Sequence, residues 1–122
     1  MSKRNVVHVE IPAENPEALG NFYRDLFGWE IQHSPELNYT MWADGSGSGG
    51  GFPAVSADTP AGRVLVYIDS EDIDADMKRV EELGGTVVLP KMEIPGTGWF
   101  GIFKDPTGNH LAVYTSMHPH QD

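Results

Sequence analysis

The stretch Val6-Val7-His8-Val9-Glu10-Ile11, with the helix signals that follow it, decides the fold. Val7, Val9 and Ile11 alternate with His8 and Glu10, so a strand here has one apolar and one polar face. Asn15-Pro16-Glu17 then offers a side-chain cap, a proline at the first helical position and an acid near the positive helix end. Ala18, Phe22 and Leu26 fall four apart, as do Leu19, Tyr23 and Phe27, which predicts an amphipathic helix with one wide apolar face. Gly28 supplies its stop.

The same unit returns 57 residues later. Val64, Val66 and Ile68 match Val7, Val9 and Ile11, and Ala75, Leu83, Gly85 and Val88 match Ala18, Leu26, Gly28 and Ile31. A second helix is opened by Ser70 or Asp72, turns Ile73, Met77, Val80 and Leu83 inward and ends at Gly84-Gly85. Matches through strand, helix and following strand mark an internal repeat of one supersecondary unit. After the first helix, strands are predicted at 29–32, at 39–42 and near 52–55. After the second they fall at 86–89, 99–103 and 110–114, with Asp105-Pro106-Thr107-Gly108 as turn chemistry before the last. Each half therefore reads β-α-β-β-β. The glycine- and serine-rich run from Gly45 to Gly51 is too short for an interdomain linker and predicts a mobile loop, with glycine letting a ligand approach the backbone.

Composition sets the outer bounds. The chain has 122 residues, enough for one domain with its own core. The reading is a single domain over 1–122, with module one at about 5–56, module two at about 62–116 and a tail at 117–122. With no cysteine there is no disulfide, zinc finger, iron–sulfur cluster or cysteine nucleophile. Eighteen acids against eight bases give a net charge of −10, which disfavours nucleic acid as a partner. Each half carries −5, so the charge reads as general repulsion rather than a tail. No apolar run approaches the roughly 20 residues of a membrane span and no leader opens the chain, so a soluble cytoplasmic protein without a membrane partner is expected.

With His8-Val9-Glu10-Ile11 at its start, Phe22-Tyr23 and Leu26-Phe27-Gly28-Trp29 around the first helix, Gly84-Gly85, and Lys104-Asp105-Pro106-Thr107-Gly108-Asn109 before the last strand, the chain resembles the vicinal oxygen chelate superfamily. That group includes glyoxalase I, extradiol dioxygenases and bleomycin-resistance proteins. The resemblance spans about residues 5–116 and is nearest to small glyoxalase-related members. It implies an α+β fold: two βαβββ modules forming a curved, cup-shaped mixed sheet with the helices on the convex side. Short members of this kind pair as homodimers.

The resemblance also implies a divalent metal held by residues on the first and last strands of each module, where it acts as a Lewis acid on two substrate oxygens. His8 falls on the first such position. Its repeat partner is Leu65, Ala112 stands where a glutamate is usual, and the fourth position falls among Gly49 to Phe52. Only His8 remains as a metal ligand, so the cofactor is either none or a divalent metal completed by other residues. Strand parity puts Glu10 beside His8, and His8, Glu10 and His110 would make a two-histidine, one-carboxylate set.

His8 and Glu10 are the candidate catalytic residues, and Tyr67, His110, Tyr114, Trp42 and Phe52 are the candidate substrate pocket. His33 is read as solvated, and His118 and His120 as tail residues. No Gly-x-Ser-x-Gly elbow or phosphate-binding loop is present. Three functions compete. One is a glyoxalase-like enzyme acting on a small oxygenated molecule as a lyase, isomerase or dioxygenase, with a metal-free acid–base variant using His8 or Glu10. The second is non-catalytic sequestration of a cationic or aromatic antibiotic, and the third is a metal-free dimeric module without a small-molecule function.

Overall fold

Asn15 closes the N-terminus of the first helix as its sequence requires: its side-chain oxygen accepts a hydrogen bond from the Ala18 amide. The computed structural model describes residues 4–118. The elements are β1 (Val6–Glu10), α1 (Pro16–Phe27), β2 (Glu30–Ser34), β3 (Tyr39–Ala43), β4 (Gly49–Gly51), β5 (Leu65–Asp69), α2 (Ile73–Glu82), β6 (Thr86–Ile94), β7 (Gly98–Lys104) and β8 (His110–Ser116). The fold is α+β, and the β-α-β-β-β pattern appears twice, as the repeat implied. Among the described residues, no helix is long and apolar enough to cross a membrane.

The chain forms two compact units, residues 7–66 and residues 4–6 with 67–118. In the first, β1 pairs in parallel with β4, β4 antiparallel with β3, and β3 antiparallel with β2. In the second, β5 pairs in parallel with β8, β8 antiparallel with β7, and β7 antiparallel with β6. The strands of the two units thus have the same order and sense. Pro90 sits in β6, an outer strand where a missing backbone donor is tolerated, and the pairing with β7 shifts register between Val87 and Leu89 and again between Leu89 and Met92, across the proline.

Each helix covers one sheet face. Beneath α1 lie Ala13, Trp42 and Phe52, with Val9, Ile11, Leu19, Tyr23, Trp29 and Ile31 around them. Val9 and Ile11 therefore take the apolar face that alternation assigned to them. The apolar face of α1 is only partly used, since Phe22, Leu26 and Phe27 remain exposed. Beneath α2 lie Ile73, Met77 and Val113, packed by Ile68, Val87, Trp99 and Phe103. Leu83, expected to point inward, is exposed instead, because α2 has ended at Glu82.

The first unit departs from expectation at β4. The strand is not at 52–55 but at Gly49–Gly51, inside the run read as a loop. Ala54 makes only an isolated bridge to Ala13.

In the second unit, Arg4 ties the chain start to α2. Its guanidinium donates to both carboxylate oxygens of Asp76 at 2.8 Å, and the Ser70 hydroxyl donates to the same carboxylate at 2.6 Å. The Arg4 hydrogen bonds, followed by that from Ser70, hold the Asp76 carboxyl below its usual range against the opposing effect of burial. A depressed folded-state pKa stabilises the fold above the unfolded value of about 3.9, and that contribution is lost as pH falls through the folded value. Asp76→Asn is expected to destabilise by on the order of 1 kcal/mol at pH 7, since the pair is partly exposed. The difference from the parent should shrink as denaturant titrations move below pH 4. An undiminished difference there would remove the carboxylate as its cause.

Candidate functional site

The polar face of β1 carries His8 and Glu10, and in the first unit the strands lie in the order β1, β4, β3, β2. Tyr39 opens β3, two strands from β1. Adjacent strands lie about 4.8 Å apart, so its ring must cross the whole of β4 to reach Glu10. It does so. The Tyr39 hydroxyl donates to Glu10 Oε2 at 2.5 Å and lies 2.9 Å from His8 Nε2. His8 Nε2 and Glu10 Oε2 are 3.8 Å apart, and the His8 and Tyr39 rings stack at 6.2 Å between centroids. The three groups are half-buried, with 31% of the His8 side chain and 15% of that of Glu10 exposed.

This crossing is allowed by β4, which consists of three glycines. A Cβ on Gly51 would stand 1.8 Å from the Tyr39 hydroxyl oxygen and 2.0 Å from Cζ. On the opposite face, the Trp42 indole crosses Gly50 and donates to the Val9 carbonyl at 3.3 Å.

A groove of about 540 Å³ opens beside this set. His8, Glu30, Gln32, Met41 and Trp42 line it, with the backbone of the loop from Gly45 to Gly50. Asp44 organises that loop: its carboxylate accepts from the Ser46 amide and hydroxyl at 2.8 Å and from the Ser48 amide at 3.2 Å. These bonds, the Ser46 amide first, hold the Asp44 carboxyl below its ordinary range. The glycine run is thus a pinned turn followed by a strand, not the loop the sequence suggested.

The structure joins the two candidate catalytic residues, His8 and Glu10, through Tyr39, which sequence reasoning did not single out. Trp42 borders the groove along β3, but its indole lies on the opposite face, stacks on Trp29 with centroids 4.0 Å apart and belongs to the core. Phe52 is not a groove residue: it is 1% exposed, lies beneath α1 and stacks on Tyr23. Tyr67, His110 and Tyr114 lie on the face of the second unit's sheet opposite α2. Tyr67 is buried against Phe100, and the Tyr114 hydroxyl donates to the Thr97 carbonyl at 3.2 Å. His33 is exposed, with Nδ1 3.1 Å from the Thr40 hydroxyl. His118 Nε2 lies 3.1 Å from the Gly96 carbonyl oxygen, and His120 falls outside the described residues.

The donor set does not fit a divalent metal. Such an ion needs three or four converging lone pairs. Among the described residues no three His, Cys, Asp or Glu side chains come together. His8 and Glu10, 3.8 Å apart, already share the Tyr39 hydroxyl. Leu65 and Ala112, at two of the positions implied for ligands, are buried and carry no donor atom.

Comparison with known proteins extends this picture. The sequence pattern of the glyoxalase-like domain matches residues 7–114. The anthracycline biosynthesis protein DnrV of Streptomyces peucetius is 32% identical over 114 residues, covering 80% of this chain and 42% of that protein. This chain thus spans less than half of that relative's length. A glyoxylase-like domain-containing protein of Didymella fabae is 31% identical over 117 residues, covering 88% of this chain and 90% of the relative. A crystal structure of a glyoxalase/bleomycin resistance protein/dioxygenase superfamily member from Vibrio splendidus superposes with a TM-score of 0.68 at 16% identity, covering 93% of this chain and all of that one.

Proposed function

Because this chain belongs to the glyoxalase-like domain family, we propose that it binds a small oxygenated organic molecule in the groove beside His8 and moves a proton to or from it without a metal. The observation that supports this reading is the Tyr39 hydroxyl held between His8 Nε2 and Glu10 Oε2 at the groove. A phenol has one proton to give. With Glu10 as carboxylate, Tyr39 donates to it and must accept from a protonated His8 Nε2, which leaves Nδ1 as the basic ring nitrogen. When Nδ1 takes a proton from a bound carbon acid, Nε2 passes its own to Tyr39 and Tyr39 passes its own to Glu10. No charge has to build up on the imidazole, and the reverse sequence returns the proton.

The name of the Streptomyces relative suggests the probe. A hydroxylated anthraquinone bound in the groove should quench the tryptophan emission by energy transfer, since Trp42 lies just across the sheet from it. An enolisable β-dicarbonyl compound in heavy water should then exchange its acidic proton faster with protein than with buffer, followed by proton NMR. Quenching without exchange would leave sequestration as the function. Neither response, over a panel of oxygenated aromatic and β-dicarbonyl probes, would defeat the reading.

A further inference from the structure

We propose that Gly51 is the residue that admits Tyr39 to the proton relay, a positioning residue that acts through Tyr39 alone. For its effect on rate, this inference rests on the function proposed above; its effect on Tyr39 is independent of it.

The three glycines of β4 have different reasons to lack a side chain. A Cβ on Gly50 would stand 1.7 Å from the Val9 carbonyl oxygen, and one on Gly49 would stand 2.7 Å from that of Trp42. Those neighbours are backbone atoms of the paired strands and cannot retreat without parting the sheet. At Gly51 the three nearest atoms are the Tyr39 hydroxyl oxygen, Cζ and Cε2 at 1.8, 2.0 and 2.6 Å. All three belong to the far end of one side chain, which can swing away by changing its rotamer. Gly51 is also absent from the glycines with positive φ, so its backbone suits any L-residue. The strand therefore accepts a methyl group at 51 if Tyr39 leaves its place. The sheet survives and the relay does not.

The geometry explains why no other position in β4 could serve. Side chains alternate across a strand, so Gly51 opens the face that carries Glu10, its partner in the parallel pairing with β1. Gly50 opens the other face, where the Trp42 indole lies, and Gly49, on the face of Gly51, pairs with Ala43 at the opposite end of β3 from Tyr39.

The test compares Gly51→Ala, Tyr39→Phe and the double variant in protein carrying ¹³Cζ-labelled tyrosine. The Tyr39 signal is assigned by its loss in Tyr39→Phe. Gly51→Ala should shift that signal to the position of a solvated tyrosine, with the other tyrosine signals unmoved. The His8 imidazole signals should move to the positions they take in Tyr39→Phe. Exchange of the β-dicarbonyl probe should fall to the Tyr39→Phe level and fall no further in the double variant. An unshifted Tyr39 signal in folded Gly51→Ala overturns the proposal. Should Gly51→Ala fail to fold, Gly51→Ala in a Tyr39→Ser background decides: recovery of the fold supports a clash with the ring alone. Failure there shows a backbone requirement and overturns the inference. A parent protein that exchanges no probe defeats the proposed function but leaves the NMR comparison intact.

Discussion

Tyr39→Phe is expected to slow proton exchange at the groove by about 10²-fold while leaving the affinity for the anthraquinone probe nearly unchanged. The variant keeps the ring, and so its stack on His8, but removes the hydroxyl that links Nε2 to Oε2. His8 then has to hold both protons when it takes one from the substrate, and the positive charge that results is separated from Glu10 by the missing oxygen. Glu10→Gln should cost a similar factor for a different reason, because an amide cannot take up the phenol proton. The two losses should not multiply in the double variant, since they break one relay. Initial exchange rates at saturating probe give the comparison. Multiplying losses would show that Tyr39 and Glu10 act separately, and a Tyr39→Phe variant at parental rate would remove Tyr39 from the chemistry.

The largest effect on stability should come from Phe52→Ala, at about 3–5 kcal/mol. Phe52 is 1% exposed, stacks on Tyr23 with centroids 5.9 Å apart and forms the cluster under α1 with Ala13 and Trp42. Losing the ring removes its transfer free energy and leaves a cavity. The site is hard to refill, because Trp42 is tied both to Trp29 and to the Val9 carbonyl. The midpoint of urea unfolding should fall sharply with little change in slope. A cost below about 1 kcal/mol, with weakened probe binding, would return Phe52 to the groove wall.

How far the sequence foretold this arrangement depended on whether each signal was local. The ends of α1 were legible because the Asn15 cap and Gly28, whose φ of 76° suits glycine, act within a turn of the helix. The face of His8 and Glu10 was legible because parity belongs to one strand. The repeat predicted that the β-α-β-β-β unit would recur, and the missing donors at Leu65 and Ala112 were visible as identities. Strand β4 was not legible, because glycine has neither apolar nor polar character and a run of it carries no alternation. Tyr39 was missed for the same reason: its role depends on which strand lies between β3 and β1. A signal did exist, in that a tyrosine on a polar strand face beside a glycine-only strand has room to cross it. Phe52 was misassigned because an aromatic residue near a strand suits a core as well as a pocket, and only the third dimension separates them.

A strand of three glycines has no identity of its own along its length. Slipping β4 by one residue exchanges glycine for glycine, so nothing within the strand resists the shift. What resists it are Phe52, the next residue along and buried beneath α1, and the two rings lying across the strand, Tyr39 on one face and Trp42 on the other, each anchored at its far end to β1. These side chains act as crossbars that index β4 against its neighbours. A variant lacking both rings should keep an alignment held by Phe52 alone, with faster amide exchange at Gly49–Gly51 than in the parent.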